Sequence, residues 1–171
     1  MSIASALISH KKELYKEYIN EHILNVQKAW NTMKNIPECL ELINKYCPDS
    51  INVIDNMIKN HDKSKYSKEE FDAHRQEFYP INVDEKKQNK VAFDKAWEHH
   101  YMNNLHHWNY WDKIGSDMSF IYIVEMICDW EAMGYKFGNT SLEWYNNNKE
   151  KIHLGDEQRK FAESLMKLVN K

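Results

Sequence analysis

The chain has 171 residues, 42% of them hydrophobic and 29% charged, with a formal net charge of −3. That is enough chain to bury a core without disulfide or metal staples, and the acidic balance excludes a protein that wraps nucleic acid by bulk electrostatics, which needs clustered excess Lys and Arg. Four Gly and three Pro are too few for the turns of a sheet-rich fold, so an all-α bundle is predicted, one domain over residues 1–171 with about seven helices.

In chain order, apolar residues at helical spacing (Leu14, Tyr18, Ile23, Val26, Trp30) predict a first helix from Ile3 to Lys34. Pro37 opens a short helix that ends near Cys47-Pro48, and Asp49 or Ser50 caps the next, from Ile51 to Asn60. Ser67-Lys68-Glu69-Glu70 matches a capping box and predicts a helix running to Tyr79-Pro80. Asn82 to Gln88 reads as a polar connector, and Lys90 to Asn104 as a helix followed by an aromatic loop closing at Gly115. Phe120 to Met133 is the most apolar helix, with its end expected at Gly134. A second capping box, Thr140-Ser141-Leu142-Glu143, and a last helix from Asp156 to Val169 complete the map.

Cys39, Cys47 and Cys128 are odd in number and lack a C-x-x-C spacing, so they read as reduced core thiols. The first ten residues carry no basic leader, and no apolar run approaches the ~18 residues of a membrane span. A cytoplasmic protein without membrane contact is expected.

Chemistry gathers around histidine. There are nine in all, and four lie close together: His99, His100, His106 and His107. Another adjoins an acid in His61-Asp62. Imidazole with carboxylate suits borderline divalent metals. Helix neighbours point about 100° apart, so an adjacent His-Asp pair serves one ion only at a helix end. His61-Asp62 meets that condition, following the apolar stretch Ile51–Ile58 and preceding polar Lys63-Ser64-Lys65. Residues seven apart share a helix face, so His100 aligns with His107, or His99 with His106, if one helix runs through Leu105. His10, His74 and His153 lack such context and are expected to be solvated.

The order His22, His61-Asp62, Asp129 along the chain resembles the H…HD…D order of the HD (histidine–aspartate) superfamily of metal-dependent phosphohydrolases. The resemblance covers nearly the whole chain. It implies that His22, His61, Asp62 and Asp129 bind one divalent metal (Mn, Fe, Ni, Co or Zn), with His100 and His107 as ligands toward a second. His61-Asp62-Lys63-Ser64-Lys65 and His106-His107-Trp108-Asn109-Tyr110-Trp111 resemble the H-D-x-S-K and H-H-W-x-Y-W segments of a bacterial and phage group within it. Lys65 is similar to the lysine of the H-D-x-x-K pattern of some HD phosphodiesterases, where it would meet a substrate phosphate. Many mononuclear HD nucleotidases carry an acid near that position, so their mechanism does not transfer directly.

The resemblance implies a phosphohydrolase acting on a nucleotide or other small phosphorylated metabolite. Asp62 and Lys65 are its catalytic candidates, and Lys65, Lys63, His106 and Trp108 its substrate contacts. A lone apolar-face His such as His22 is more often a core residue; its place in the order makes it a ligand candidate. Asp129 sits in an apolar helix, where an unpartnered carboxylate would be costly, and a metal would remove that cost. Glu125 either orients a ligand or joins an ion pair. Trp97, Tyr101, Trp108, Tyr110 and Trp111 line a base-stacking pocket or belong to the core, the commoner case. Two alternatives stand beside the hydrolase: an HD-fold di-iron oxygenase, and a non-catalytic helical metal-binding or interaction protein. A homodimer is left open.

Overall fold

The computed structural model describes residues 3–171, and among them it contains helices and turns but no strand. The α-helices are α1 (Ile3–Lys34), α2 (Pro37–Tyr46), α3 (Ile51–Lys59), α4 (Phe71–Phe78), α5 (Val83–Gln88), α6 (Lys90–Asn103), α7 (Trp108–Ile114), α8 (Phe120–Phe137), α9 (Ser141–Asn148) and α10 (Asp156–Val169). Single 3-10 turns occupy Lys63–Tyr66 and Lys149–Lys151. The all-α class holds. The chain forms two compact units: one takes the chain up to Glu21 together with Asp62–Asn104, the other His22–His61 with Leu105–Lys171.

In the first unit, the early part of α1 meets α4 through aromatic rings. Tyr15 is fully buried, with its ring centroid 5.2 Å from Phe71 and 6.0 Å from Tyr79. Buried Arg75 makes a two-pronged ion pair with Glu85 at 2.8 and 2.7 Å, and Glu85 also accepts from the Ile81 amide. Asn82 accepts from the Glu85 amide at 2.8 Å, an N-cap that turns the expected polar connector into α5.

The second unit is organised on α8, whose positions from Ile123 to Cys128 are all buried. Trp30, Met33, Ile43, Ile54, Ile58, Phe161 and Leu165 share its core. α8 runs past its expected end. Gly134 lies inside the helix, where a side chain would collide with the Asn139 carbonyl, and the left-handed cap is Gly138, at φ 77°. The expected aromatic loop contains α7, held by the Trp111 indole donating to the Leu105 carbonyl at 2.7 Å. The Thr140 capping box forms as read. Cys39, Cys47 and Cys128 are free thiols, all buried. Among the described residues no helix is long and apolar enough to cross a membrane.

Candidate functional site

Within the second unit, three separate parts of the chain bring nitrogen and carboxylate donors together. His22 comes from α1, and His61 from the residues just after α3, whose last turn closes at Asn60. Glu125 and Asp129 stand one turn apart on α8. His22 is 5% exposed and His61 is 1% exposed. His22 Nε2 lies 3.0 Å from Asp129 Oδ1 and 3.3 Å from His61 Nε2, and His61 Nε2 lies 3.8 Å from Asp129 Oδ1. His61, His106 and Asp129 each offer a ligand atom within 4.8 Å of the others.

The orientation of the rings suits a metal. Glu125 Oε1 lies 2.9 Å from His61 Nδ1 and 3.4 Å from His106 Nδ1. An ionised carboxylate there places hydrogen on each Nδ1, so each Nε2 is the nitrogen with a lone pair to give. Ligand atoms around an ion with bonds near 2.1 Å stand about 3.0 to 3.4 Å apart in octahedral or tetrahedral sets. Two of the three separations among His22, His61 and Asp129 fall in that range and the third, 3.8 Å, lies above it, so the donor set comes close to that of a borderline divalent ion.

The electrostatics agree. Burial pushes the Glu125 carboxyl up, but hydrogen bonds from His106 and His61 outweigh it and bring its pKa down to about 2. Burial likewise opposes charge on Asp129, and His22 and His61 hold it well below the usual carboxylate range.

The first unit holds a second buried polar cluster, on Asp62. The backbone of Asp62 is left-handed, with φ 55° and ψ 16°, a conformation Asp tolerates better than most residues. The turn redirects the chain between α3 and the Lys63–Tyr66 turn. Asp62 Oδ2 meets Lys65 Nζ at 2.5 Å, and Oδ1 lies 3.3 Å from His100 Nε2. His100 Nδ1 lies 2.8 Å from Glu70 Oε2, while Glu70 Oε1 takes His99 Nδ1 at 2.7 Å. Burial works against charge on the His100 ring, but Asp62 and Glu70 overcome it and push its pKa up. Burial also acts on Glu70, where His100 and His99 prevail and lower the carboxyl.

His22, His61 and Asp129 converge in one unit; Asp62, Lys65 and His100 converge in the other. His106, expected as a substrate contact, offers a ligand atom within 4.8 Å of those of His61 and Asp129. His107 packs its ring 4.2 Å from that of His106 and precedes α7. Trp108 opens α7 with its ring 5.3 Å from His153, and Lys63 is exposed. His100 and His107 do not share a helix face, because α6 ends at Asn103.

Sequence reasoning missed two residues. The capping pattern places Glu70 at a helix cap, yet α4 begins after it without a side-chain cap bond, and its carboxylate turns inward onto two histidines. No local pattern signals that, since its partners lie 29 and 30 residues away. His74 was expected in solvent. It is 2% exposed, its Nδ1 faces the Glu70 carbonyl at 2.9 Å, and burial lowers its pKa to about 4. It lies on the face of α4 turned toward Phe93 and His100.

One family model matches residues 11–171, and the chain belongs to that family, described as a family of unknown function (DUF5662). No curated protein and no solved structure matches the chain.

Proposed function

We propose that this member of a family of unknown function is a metal-dependent phosphohydrolase of the HD type, acting on a nucleotide or another small phosphorylated metabolite. The observation that carries the reading is the meeting of His22 Nε2, His61 Nε2 and Asp129 Oδ1 at 3.0 to 3.8 Å, with Glu125 steering the His61 ring from behind. His22, His61 and Asp129, with His106 beside them, would hold the ion, one of Mn, Fe, Ni, Co or Zn. Such an ion, when bound, supplies a water of lowered pKa and a Lewis acid for a phosphoryl oxygen.

The rest falls to the chain's own side chains. Asp62, next in the chain to His61, is the residue we assign to orienting the attacking water and accepting its proton. One of its oxygens is bonded by Lys65, and the other lies 3.3 Å from His100 Nε2, which limits its rotation. Lys65 carries a positive charge on a short 3-10 turn and would neutralise substrate phosphate, as a point charge that turns from Asp62 to the substrate. The order of ligands along the chain, shared with HD phosphohydrolases, supports the reaction class.

Metal content decides first. Protein purified without chelator should carry roughly one or more equivalents of a divalent transition metal, lost in His61→Ala. The loaded protein should then release phosphate from some member of a panel of phosphorylated metabolites. Absence of metal even after reconstitution would overturn the hydrolase. Iron with oxygen consumption would favour the oxygenase, and metal without turnover on any substrate a binding protein.

A further inference from the structure

We propose that Glu70 is a positioning residue that sets the His100 ring and, through it, the Asp62 carboxylate. The inference rests on the proposed role of Asp62 and deepens it.

Glu70 is fully buried, and it does not cap the helix that follows. Taking a carboxylate out of water is steeply unfavourable unless its oxygens are hydrogen-bonded. Here each oxygen takes one ring nitrogen: Oε1 faces His99 Nδ1 at 2.7 Å and Oε2 faces His100 Nδ1 at 2.8 Å. Because an ionised carboxylate only accepts, both Nδ1 atoms must carry hydrogen. The opposite edge of the His100 ring, Nε2, is then the edge turned to Asp62 Oδ1, at 3.3 Å.

The other neighbours of His100 fix different things. Trp97 stacks on the ring at 5.7 Å, and His74 meets it edge-on at 5.7 Å; both constrain its plane. Neither decides which nitrogen points to Asp62. Asn104 Nδ2 and Ser64 Oγ also lie 3.2 and 3.4 Å from His100 Nδ1, but both contacts are longer than that of Glu70, and the amide gives its two hydrogens to the Ser64 hydroxyl at 2.7 Å and the His100 carbonyl at 2.8 Å, which ties the end of α6 to the turn after Asp62. A bond of Glu70 to the ring is thus the contact that chooses between the two flipped orientations. A solely structural duty would be met as well by an apolar residue packed in its place.

The test compares Glu70→Gln with His99→Ala in the full chain. The amide of the Gln presents an N–H₂ group to one of two nitrogens that already donate, so one ring must flip or change tautomer. In ¹⁵N-histidine spectra we expect the His100 ring nitrogens to move in Glu70→Gln and to stay in place in His99→Ala. With Mn²⁺ and p-nitrophenyl phosphate we expect kcat to fall roughly 10- to 100-fold in Glu70→Gln at unchanged KM, and less than about 3-fold in His99→Ala. Unmoved His100 signals, or equal losses in the two variants, would overturn the proposal. If wild-type protein hydrolyses nothing, the hydrolase reading fails and the ring signals alone judge Glu70. Should Glu70→Gln not fold, the wild-type spectrum serves: a His100 Nδ1 that carries no hydrogen overturns the assignment.

Discussion

His61 and Glu125 lie 64 residues apart in sequence and meet at 2.9 Å, ring nitrogen to carboxylate oxygen, with the His61 side chain fully buried. This contact fixes the orientation of the His61 ring. It commits Nδ1 to Glu125 and turns Nε2 toward His22 and Asp129.

Removing the acceptor should loosen the metal without unmaking the ligand set. In Glu125→Gln, Mn²⁺ or Zn²⁺ affinity measured by calorimetry is expected to drop about 10- to 100-fold. His61→Ala should abolish binding, and an affinity of Glu125→Gln equal to wild type would show that the carboxylate does not direct the ring.

Asp62 combines a left-handed backbone with the proposed chemistry, and two substitutions separate these. Asn tolerates φ 55° nearly as well as Asp, so Asp62→Asn should keep the backbone turn, lose stability only through the broken ion pair with Lys65, and lose at least ~100-fold in metal-dependent turnover. Asp62→Ala should lose the same turnover and about 1 kcal/mol of stability besides. Full activity in either variant would remove Asp62 from the mechanism.

The Arg75–Glu85 pair predicts a pH dependence of stability. Hydrogen bonds from Arg75 pull the Glu85 carboxyl below its ordinary value of 4.5. The folded-state pKa is the lower one, so the pair's stabilisation is fully present above pH 4.5 and fades as pH falls through the folded value. Glu85→Gln, which leaves buried Arg75 facing an amide, should cost about 2 kcal/mol at neutral pH by chemical denaturation. The gap to wild type should narrow as pH drops below that window; a gap constant with pH would contradict the assignment.

Gly134 is predicted to resist even the smallest side chain. A Cβ there would run into the Asn139 carbonyl, so Gly134→Ala should lower stability by about 1 to 3 kcal/mol despite the better helix propensity of Ala. Gly138→Ala should also destabilise, through left-handed strain at φ 77°, but without steric collision. Thermal unfolding of the two variants, with the larger loss at Gly134, checks the difference.

What the sequence determined by itself is what depends on near neighbours. Scarce Gly and Pro excluded a sheet, the periodicity of Ile3–Lys34 and of Phe120–Met133 marked the long helices, and Thr140 with Glu143 marked a cap, because helix formation and capping act over three or four residues. The chain order of His22, His61, Asp62 and Asp129 was equally visible. Tertiary structure decided the rest, because it depends on which distant groups meet once water is excluded. Ser67 and Glu70 carry the same capping pattern as Thr140 and Glu143. Yet Glu70 turns inward, where two imidazoles from α6 stabilise a buried carboxylate better than one exposed backbone amide could. His74 is buried for the same reason, by what α4 packs against. And His106, indistinguishable in sequence from its neighbour His107, stands with His61 and Asp129 because α6 ends at Asn103 and the loop, not a helix face, sets its direction.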